Sequence, residues 1–230
     1  YGADGLLALD EAQDANFRLH FYNPDGSRGE MCGNGARCIC RFAYDMGMAG
    51  ECMTVQTDAG IIEGRRLAED RYVVKLNNPS VVDLHRKGEV AYVELGDPGV
   101  PHAVAEYTGD LWGDKERLKE QMRALRFDPV FPKGANVNFY QVIGENEVRV
   151  LTYERGVEDF TYACGTGTGS LVSVLTMKGL VSGKNVKVNM TGGQLIIDID
   201  REGDTIKNLY LTGPTNIVCR GEVTDEDLVL

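Results

Sequence analysis

The residues with the most chemistry to offer are two cysteines in matched surroundings. Cys32-Gly33-Asn34-Gly35 is followed, 132 positions later, by Cys164-Gly165-Thr166-Gly167. Each cysteine opens a stretch of helical period. Ile39, Phe42, Ala43 and Met46 run to Gly47, and Leu171, Val172, Val174, Leu175 and Met177 run to Gly179. A thiol at a helix N-terminus faces unpaired backbone N–H groups and the positive end of the helix dipole. Such surroundings bring a cysteine pKa from about 8.5 to roughly 3.5–7.5, which gives a usable thiolate near neutrality. The same N–H groups form a seat for a carboxylate. Two thiols on opposite walls of a cleft can invert a carbon that bears a hydrogen. One, as thiolate, takes the proton from one face, and the other, as thiol, returns a proton to the opposite face. The neighbouring N–H groups would stabilise charge spreading onto the carboxylate. The glycines after each cysteine let backbone approach a substrate closely.

At the level of residues alone, other uses of the pair stay open. A cysteine at a helix start is often only a small buried side chain. A redox pair is a second use, which a local Cys-x-x-Cys would suit better than this long separation. Gly33-Asn34-Gly35 as a phosphate loop lacks the Gly-Lys-Ser/Thr ending and the full Gly-x-Gly-x-x-Gly. The sequence holds six cysteines and three histidines. Cys32, Cys38 and Cys40 lack the paired spacing of a zinc site, so no metal is expected. Cys38 and Cys40 are expected to be buried in the first helix. A chain of this length does not need disulfides, and a reducing, cytoplasmic setting is expected.

Composition narrows the partners. Of 230 residues, 43% are hydrophobic and 26% charged, as in ordinary globular proteins. A formal charge of −11 argues against nucleic acid and anionic membrane surfaces, while leaving room for a pocket that takes an anionic small molecule. No apolar run approaches the roughly 18–20 residues of a membrane span. The sequence opens at Tyr1 with no secretory signal and reads as an excerpt.

The elements that would position the thiols also occur twice. Before the first cysteine come a Gly2-Ala3-Asp4-Gly5 turn, a strand at Leu6-Leu7-Ala8-Leu9, an alternating strand at 17–22 and the turn Asn23-Pro24-Asp25-Gly26. After it come strands at 52–57 and 61–63, joined by Asp58-Ala59-Gly60, and a strand at 72–76 ended by Asn77-Asn78-Pro79. The second round has strands at 147–153, 186–190, 194–199 and 208–211, with Thr191-Gly192-Gly193 as its turn. From cysteine to turn glycine is 28 residues in the first round (Cys32 to Gly60) and 29 in the second (Cys164 to Gly193). From that glycine to the closing proline is 19 (Gly60 to Pro79) and 21 (Gly193 to Pro214). Such agreement predicts an internal repeat and two similar domains facing one another. Between the rounds, Ala91–Val104 reads as strand broken at Gly96–His102, and Gly109–Arg126 reads as a surface helix with Leu111, Leu118, Met122 and Leu125 at helical spacing.

Asn23-Pro24-Asp25-Gly26-Ser27 leading to Met31-Cys32-Gly33-Asn34-Gly35-Ala36-Arg37-Cys38 closely resembles the diaminopimelate epimerase family. So do Pro101-His102-Ala103-Val104, Asn136-Val137-Asn138-Phe139, Tyr153-Glu154-Arg155-Gly156 and Ala163-Cys164-Gly165-Thr166-Gly167, in family order over nearly the whole chain. The resemblance implies an α/β (α+β) fold of two pseudo-symmetric domains. Each is a mostly antiparallel sheet wrapped around a helix that starts at a catalytic cysteine, with the active site in the cleft between them. It divides the chain into 1–78 with 215–230, and 79–214. It implies a cofactor-independent isomerase that interconverts LL- and meso-diaminopimelate on the way to lysine and peptidoglycan precursors. An amino-acid substrate is its small-molecule partner, and a homodimer is compatible with it.

Carried over residue by residue, the resemblance makes Cys32 and Cys164 the acid/base thiols. Gly33, Asn34, Gly165 and Thr166 become donors around the reacting carboxylate, and Asn23, Asn136, Glu154 and Arg155 hold the distal end of the substrate. Arginine can take a carboxylate through two parallel bonds, and asparagine can serve ammonium and carboxylate alike. His102 matches a histidine lining the cleft. Three departures bear on substrate choice. A family segment with a His-Gly-x-Gly-Asn-Asp-type motif lies ahead of where this sequence opens. Val100 stands where the family's Gly-Asn-Pro-His has asparagine, and bulky Phe160 and Tyr162 run into Cys164. A related racemase acting on another amino acid, such as histidine, and a non-catalytic binding module of the same fold are the alternatives.

Overall fold

The computed structural model describes residues 5–29, 32–58 and 60–221. Residues 1–4 of the first expected turn, Met31 of the first motif, Ala59 and 222–230 of the closing segment lie outside the described residues. β1 (Leu6–Asp10), β2 (Phe17–Tyr22) and the short β3 (Arg28–Gly29) lead into α1 (Gly33–Asp45), followed by β4 (Cys52–Thr57), β5 (Gly60–Ala68) and β6 (Arg71–Leu76). Next come β7 (Pro79–Lys87), β8 (Val90–Leu95), β9 (Val100–Glu106), α2 (Lys115–Arg126) and β10 (Asn136–Gly144). The second round is β11 (Glu147–Glu154), β12 (Asp159–Thr161), α3 (Gly165–Met177), β13 (Val186–Met190), β14 (Gly193–Glu202) and β15 (Thr205–Pro214).

This is a mixed α+β fold in which one continuous strand path carries both rounds, in the order β1-β2-β4-β5-β6-β15-β14-β13-β11-β10-β9-β8-β7. Its seam is the antiparallel pair β6 and β15, with Leu76 opposite Leu209 and Val74 opposite Leu211. Outward from the seam the two arms repeat. β5 pairs β4 and β14 pairs β13 antiparallel; β4 pairs β2 and β13 pairs β11 parallel; β2 pairs β1 and β11 pairs β10 antiparallel. Even the short strands correspond, β3 on β2 and β12 on β11. The repeat counted in the sequence is therefore a repeat of hydrogen-bonding direction as well as of spacing. The second arm continues into β9, β8 and β7, which have no counterpart among the described residues of the first.

Those added strands decide how each helix is buried. In α3 every residue from Gly167 to Thr176 is buried, because sheet closes on it from all sides. In α1 the buried stripe is Ala36, Ile39, Cys40 and Ala43, at i, i+3, i+4 and i+7. Phe42 and Met46, expected on that stripe, are instead 49% and 62% exposed, and Cys38, expected to be buried, is exposed while Cys40 is buried. Both helices stop at a glycine with positive φ, Gly47 at +70° and Gly179 at +71°, a conformation that costs glycine little.

The connecting region departs further from its sequence reading. α2 begins only at Lys115, and Leu111, Leu118 and Met122 are fully buried against Phe139, Leu151 and Tyr153. It is thus half-buried, with its own small core. The break between β8 and β9 is confined to Gly96–Gly99, so Pro101 and His102 lie within β9. β7 gives no alternating signal because none of its residues is fully buried.

Candidate active site

Each cysteine is an N-cap in extended backbone: φ −132°, ψ 116° at Cys32 and φ −124°, ψ 108° at Cys164. Cys32 Sγ accepts from the Gly35 N–H at 3.4 Å, and Cys164 Sγ from the Gly167 N–H at 3.3 Å. Sulfur here does what a serine or aspartate oxygen does at most N-caps. The next N–H is used as well, Ala36 on the Cys32 carbonyl and Thr168 on the Cys164 carbonyl. The N–H groups of Gly33, Asn34, Gly165 and Thr166 are left ahead of the helical ladders.

The two helix starts abut. A Cβ on Gly165 would stand 3.4 Å from the Gly33 Cα, and a Cβ on Gly33 would stand 3.7 Å from the Gly165 Cα. Either would come within 3.0 Å of the Leu211 Cδ2. Leu211 lies on β15, so the seam of the sheet seats both helix starts over one leucine. A side chain at either position would crowd the Leu211 methyl, so glycine suits this approach best.

The thiols differ in their surroundings. Cys32 is half-buried. Cys164 is 7% exposed, and burial, with the Glu154 carboxylate adding to it, pushes its thiol up to about 12. The Thr166 hydroxyl, 3.6 Å from Sγ, and the Gly167 N–H pull the other way without winning. Burial also raises the Glu154 carboxyl.

Period-two alternation sorts the remaining residues. On β10, Val137 and Phe139 point into the α2 core, which leaves Asn136 and Asn138 on the α3 side. Asn136 is opposite His102 on β9, and Asn138 is opposite Thr152 on β11. Tyr153 faces α2, so Thr152 and Glu154 face α3. His102, Asn136, Asn138, Thr152 and Glu154 thus share the inner face of three adjacent strands.

Asn136 braces this face. Its Nδ2 donates to the Pro101 carbonyl at 3.1 Å and its Oδ1 accepts from the Arg155 N–H at 2.8 Å, leaving one N–H and one lone pair. Arg155 is exposed and gives one guanidinium N–H to the Lys133 carbonyl at 2.9 Å, with the rest of the fork unclaimed among the described residues. His102 is fully buried. Burial, helped by the Arg155 charge, pushes it down to about 3, so it is neutral at working pH. Its Nδ1 lies 3.3 Å from the Asn138 amide, and its Nε2 is buried without a partner among the described residues. Asn23 lies in the turn ahead of β3, where its Nδ2 donates to the Ser27 hydroxyl at 3.0 Å. Phe160 packs edge-on to Tyr153, 6.0 Å between centroids, with the Lys115 ammonium 5.1 Å from its ring. It belongs to the α2 core, and Tyr162 is exposed, so neither bulky residue is explained by substrate choice.

Sequence reasoning passed over Asn138, Arg37 and Leu211. Asn138 is fully buried, and a Cβ on Gly167 would fall 2.6 Å from its Oδ1. Its alternation with Asn136 was the available signal. Arg37 is 5% exposed. It donates to the Gly33 carbonyl at 3.2 Å and to Asn34 Oδ1 at 3.1 Å, and Asn34 Nδ2 donates in turn to the Ala163 carbonyl at 3.3 Å. Among the described residues no group of three or more His, Cys, Asp or Glu is placed to hold a metal ion. No helix of the described residues is long and apolar enough to cross a membrane.

Comparison with known proteins follows the same lines. The family model described as diaminopimelate epimerase matches residues 1–82 and 97–218. A diaminopimelate epimerase of Aquifex aeolicus is 40% identical over 99% of this chain and 82% of its own length. One from Archaeoglobus fulgidus is 35% identical over 96% of this chain and 80% of its own. Among solved structures, a probable proline racemase from Agrobacterium radiobacter K84 superposes with a TM-score of 0.65 at 16% identity, covering 97% of this chain and 77% of that one. A hydroxyproline epimerase from Agrobacterium vitis gives 0.62 at 16% identity, covering 91% and 72%. These last two share the fold.

Proposed function

The chain belongs to the diaminopimelate epimerase family, and we propose that Cys32 and Cys164 carry its reaction as a thiolate–thiol pair. It is an isomerase that converts LL-diaminopimelate to meso-diaminopimelate without pyridoxal phosphate, a step toward lysine and peptidoglycan precursors. The observation that carries the residue assignment is the abutment of two cysteine-capped helix starts over Leu211.

The substrate α-carboxylate sits against the free N–H groups of Gly33, Asn34, Gly165 and Thr166. The positive helix ends there stabilise charge that grows as the α-proton leaves. Burial keeps Cys164 protonated before substrate arrives, which leaves the thiolate role to Cys32. The Cys32 thiolate takes the α-proton, the electron pair passes into the carboxylate-stabilised carbanion, and the Cys164 thiol protonates the opposite face. The product leaves Cys32 as thiol and Cys164 as thiolate, so the reverse reaction starts from the exchanged pair. The open fork of Arg155, braced through Asn136, takes the distal carboxylate, with Asn23 and Glu154 at the same end and neutral His102 in the cleft wall.

The same reading divides the chain into 1–78 with 215–230, and 79–214. It places the protein in the cytoplasm, where its six free cysteines would stay reduced. A homodimer is part of the reading and would register in light scattering.

The test is epimerisation of LL-diaminopimelate in D2O, followed by chiral chromatography and mass spectrometry. The expected result is one deuterium at the inverted carbon of the meso product, lost in Cys32→Ala and Cys164→Ala. Unlabelled product, or undiminished turnover in either variant, would overturn the mechanism. Turnover of L-histidine that equals or exceeds that of diaminopimelate would overturn the substrate.

A further inference from the structure

The two cysteine helices are not equally equipped one turn in. The fifth residue after Cys32 is Arg37, and the fifth after Cys164 is Gly169. Arg37 is a cation buried beneath the start of α1. Its Nη1 donates to the Gly33 carbonyl at 3.2 Å and its Nη2 to Asn34 Oδ1 at 3.1 Å. Its Nε is buried without a partner among the described residues, against the Gly213 backbone of β15, where a Cβ would come within 3.0 Å. A guanidinium only donates, so it fixes the flip of the Asn34 amide with oxygen toward Arg37 and nitrogen away. That nitrogen reaches across to the other round and donates to the Ala163 carbonyl at 3.3 Å. Ala163 is bonded directly to Cys164. A continuous run of contacts therefore links the peptide after one thiol to the peptide before the other.

The geometry points to Arg37 as the positioning residue of the thiol pair: through Asn34 it ties the residue after Cys32 to the residue before Cys164 and sets the gap across which the proton is handed over. This rests on the reading of Cys32 and Cys164 as the two acid/base groups. Arg37 touches no reacting atom. A two-base inversion needs both sulfurs at the correct distance at once, whereas removal and return of a proton on one face needs only one. A loosened gap should therefore cost inversion more than exchange, and a misplacement of about 1 Å can cost about 10²-fold in rate. Lysine at this site keeps the charge but cannot donate to both acceptors in the fixed fork.

The experiment is Arg37→Lys in the full chain, assayed with LL-diaminopimelate in D2O. Deuterium is measured separately in recovered substrate and in epimerised product. The expected result is a kcat lower by about 10²-fold with KM changed little, and a severalfold rise in label in recovered substrate relative to product. Asn34→Asp keeps the oxygen that Arg37 binds and removes the donor to Ala163, so it should shift the label ratio the same way and keeps the test open if Arg37→Lys fails to fold. A wild-type label ratio in either folded variant, even with less activity, would mean a merely structural role and overturn the inference. Wild-type protein that incorporates no label would overturn the two-thiol reading, and this inference with it.

Discussion

α1 and α3 begin alike and are housed differently. Both have a cysteine N-cap in the same extended conformation, both give the sulfur one backbone N–H, and both end at a positive-φ glycine. Yet α3 is enclosed by strands that continue past β10, while α1 keeps an exposed side with Cys38, Phe42 and Met46. The cysteines inherit that contrast. Cys164 is buried beside Glu154 and held protonated, and Cys32 is half-buried with Arg37 in the turn below. A duplicated local motif thus supplies two thiols of the same local geometry, and the closer housing of one raises the Cys164 thiol.

The largest effect expected is the one that treats the helices as equals. Cys32→Ser and Cys164→Ser should each reduce epimerisation by roughly 10²–10⁴-fold, because under the proposed mechanism each removes one of two proton-transfer groups. Undiminished initial rates in either variant, in either direction, would break the pairing. The next effect sharpens the inequality. With its thiol near 12, Cys164 in the substrate-free protein should react with iodoacetamide at pH 8 about 10³-fold more slowly than an ordinary thiol of pKa about 8.5. Peptide mapping after timed alkylation would read this. Glu154→Gln removes a charge that raises Cys164, so it should speed alkylation there.

Glycine substitutions separate the housings by stability. A Cβ on Gly167 would meet Asn138 Oδ1 at 2.6 Å and Cys164 Sγ at 3.1 Å. Gly167→Ala should therefore cost about 1–3 kcal/mol by urea unfolding. At the matching position, a Cβ on Gly35 would meet the side-chain end of Leu7 at 3.1 Å. There the helix-favouring gain of about 0.5–1 kcal/mol should offset most of the crowding. Stability should also depend on pH. The folded chain raises the thiols of Cys164 and Cys40 to about 12, by burial above all. Above the unfolded value of about 8.5 the unfolded chain loses these protons first, so stability falls as pH rises through that window. The slope is at most about 1.4 kcal/mol per pH unit for each thiol. Urea midpoints at pH 7.5 and 9.5 would show the decline, and Cys40→Ala should lessen it.

The legible parts were those written in local pattern. Cys32 and Cys164 with their glycines, the strands flanking them and the positive-φ stops carried caps, turns and periodicity that act within a few residues. β7 escaped because it buries no residue fully, and α2 read as a surface helix because its charges outnumber the leucines that anchor it. The buried stripe of α1 was misplaced because Phe42 is apolar by type, and only the reach of the surrounding sheet decides whether an apolar side chain is covered. Arg37, Asn138 and Leu211 gave little signal, since a buried arginine, a buried asparagine and one leucine among many acquire meaning only from what they touch.

By itself, then, the sequence determined the unit: a cysteine at a helix start with small residues behind it, made twice, at a spacing that forces two like rounds. Backbone propensity and capping are local, and a repeated sequence repeats them. Tertiary structure decided how the units meet. The β6–β15 seam presses the two helix starts together over Leu211. The extra strands bury one thiol and leave the other half open. The carbonyl beside Cys164 comes within reach of Asn34. Each of these depends on residues brought together from distant parts of the chain, and proton affinity follows burial and neighbouring charge, which no stretch of sequence holds alone.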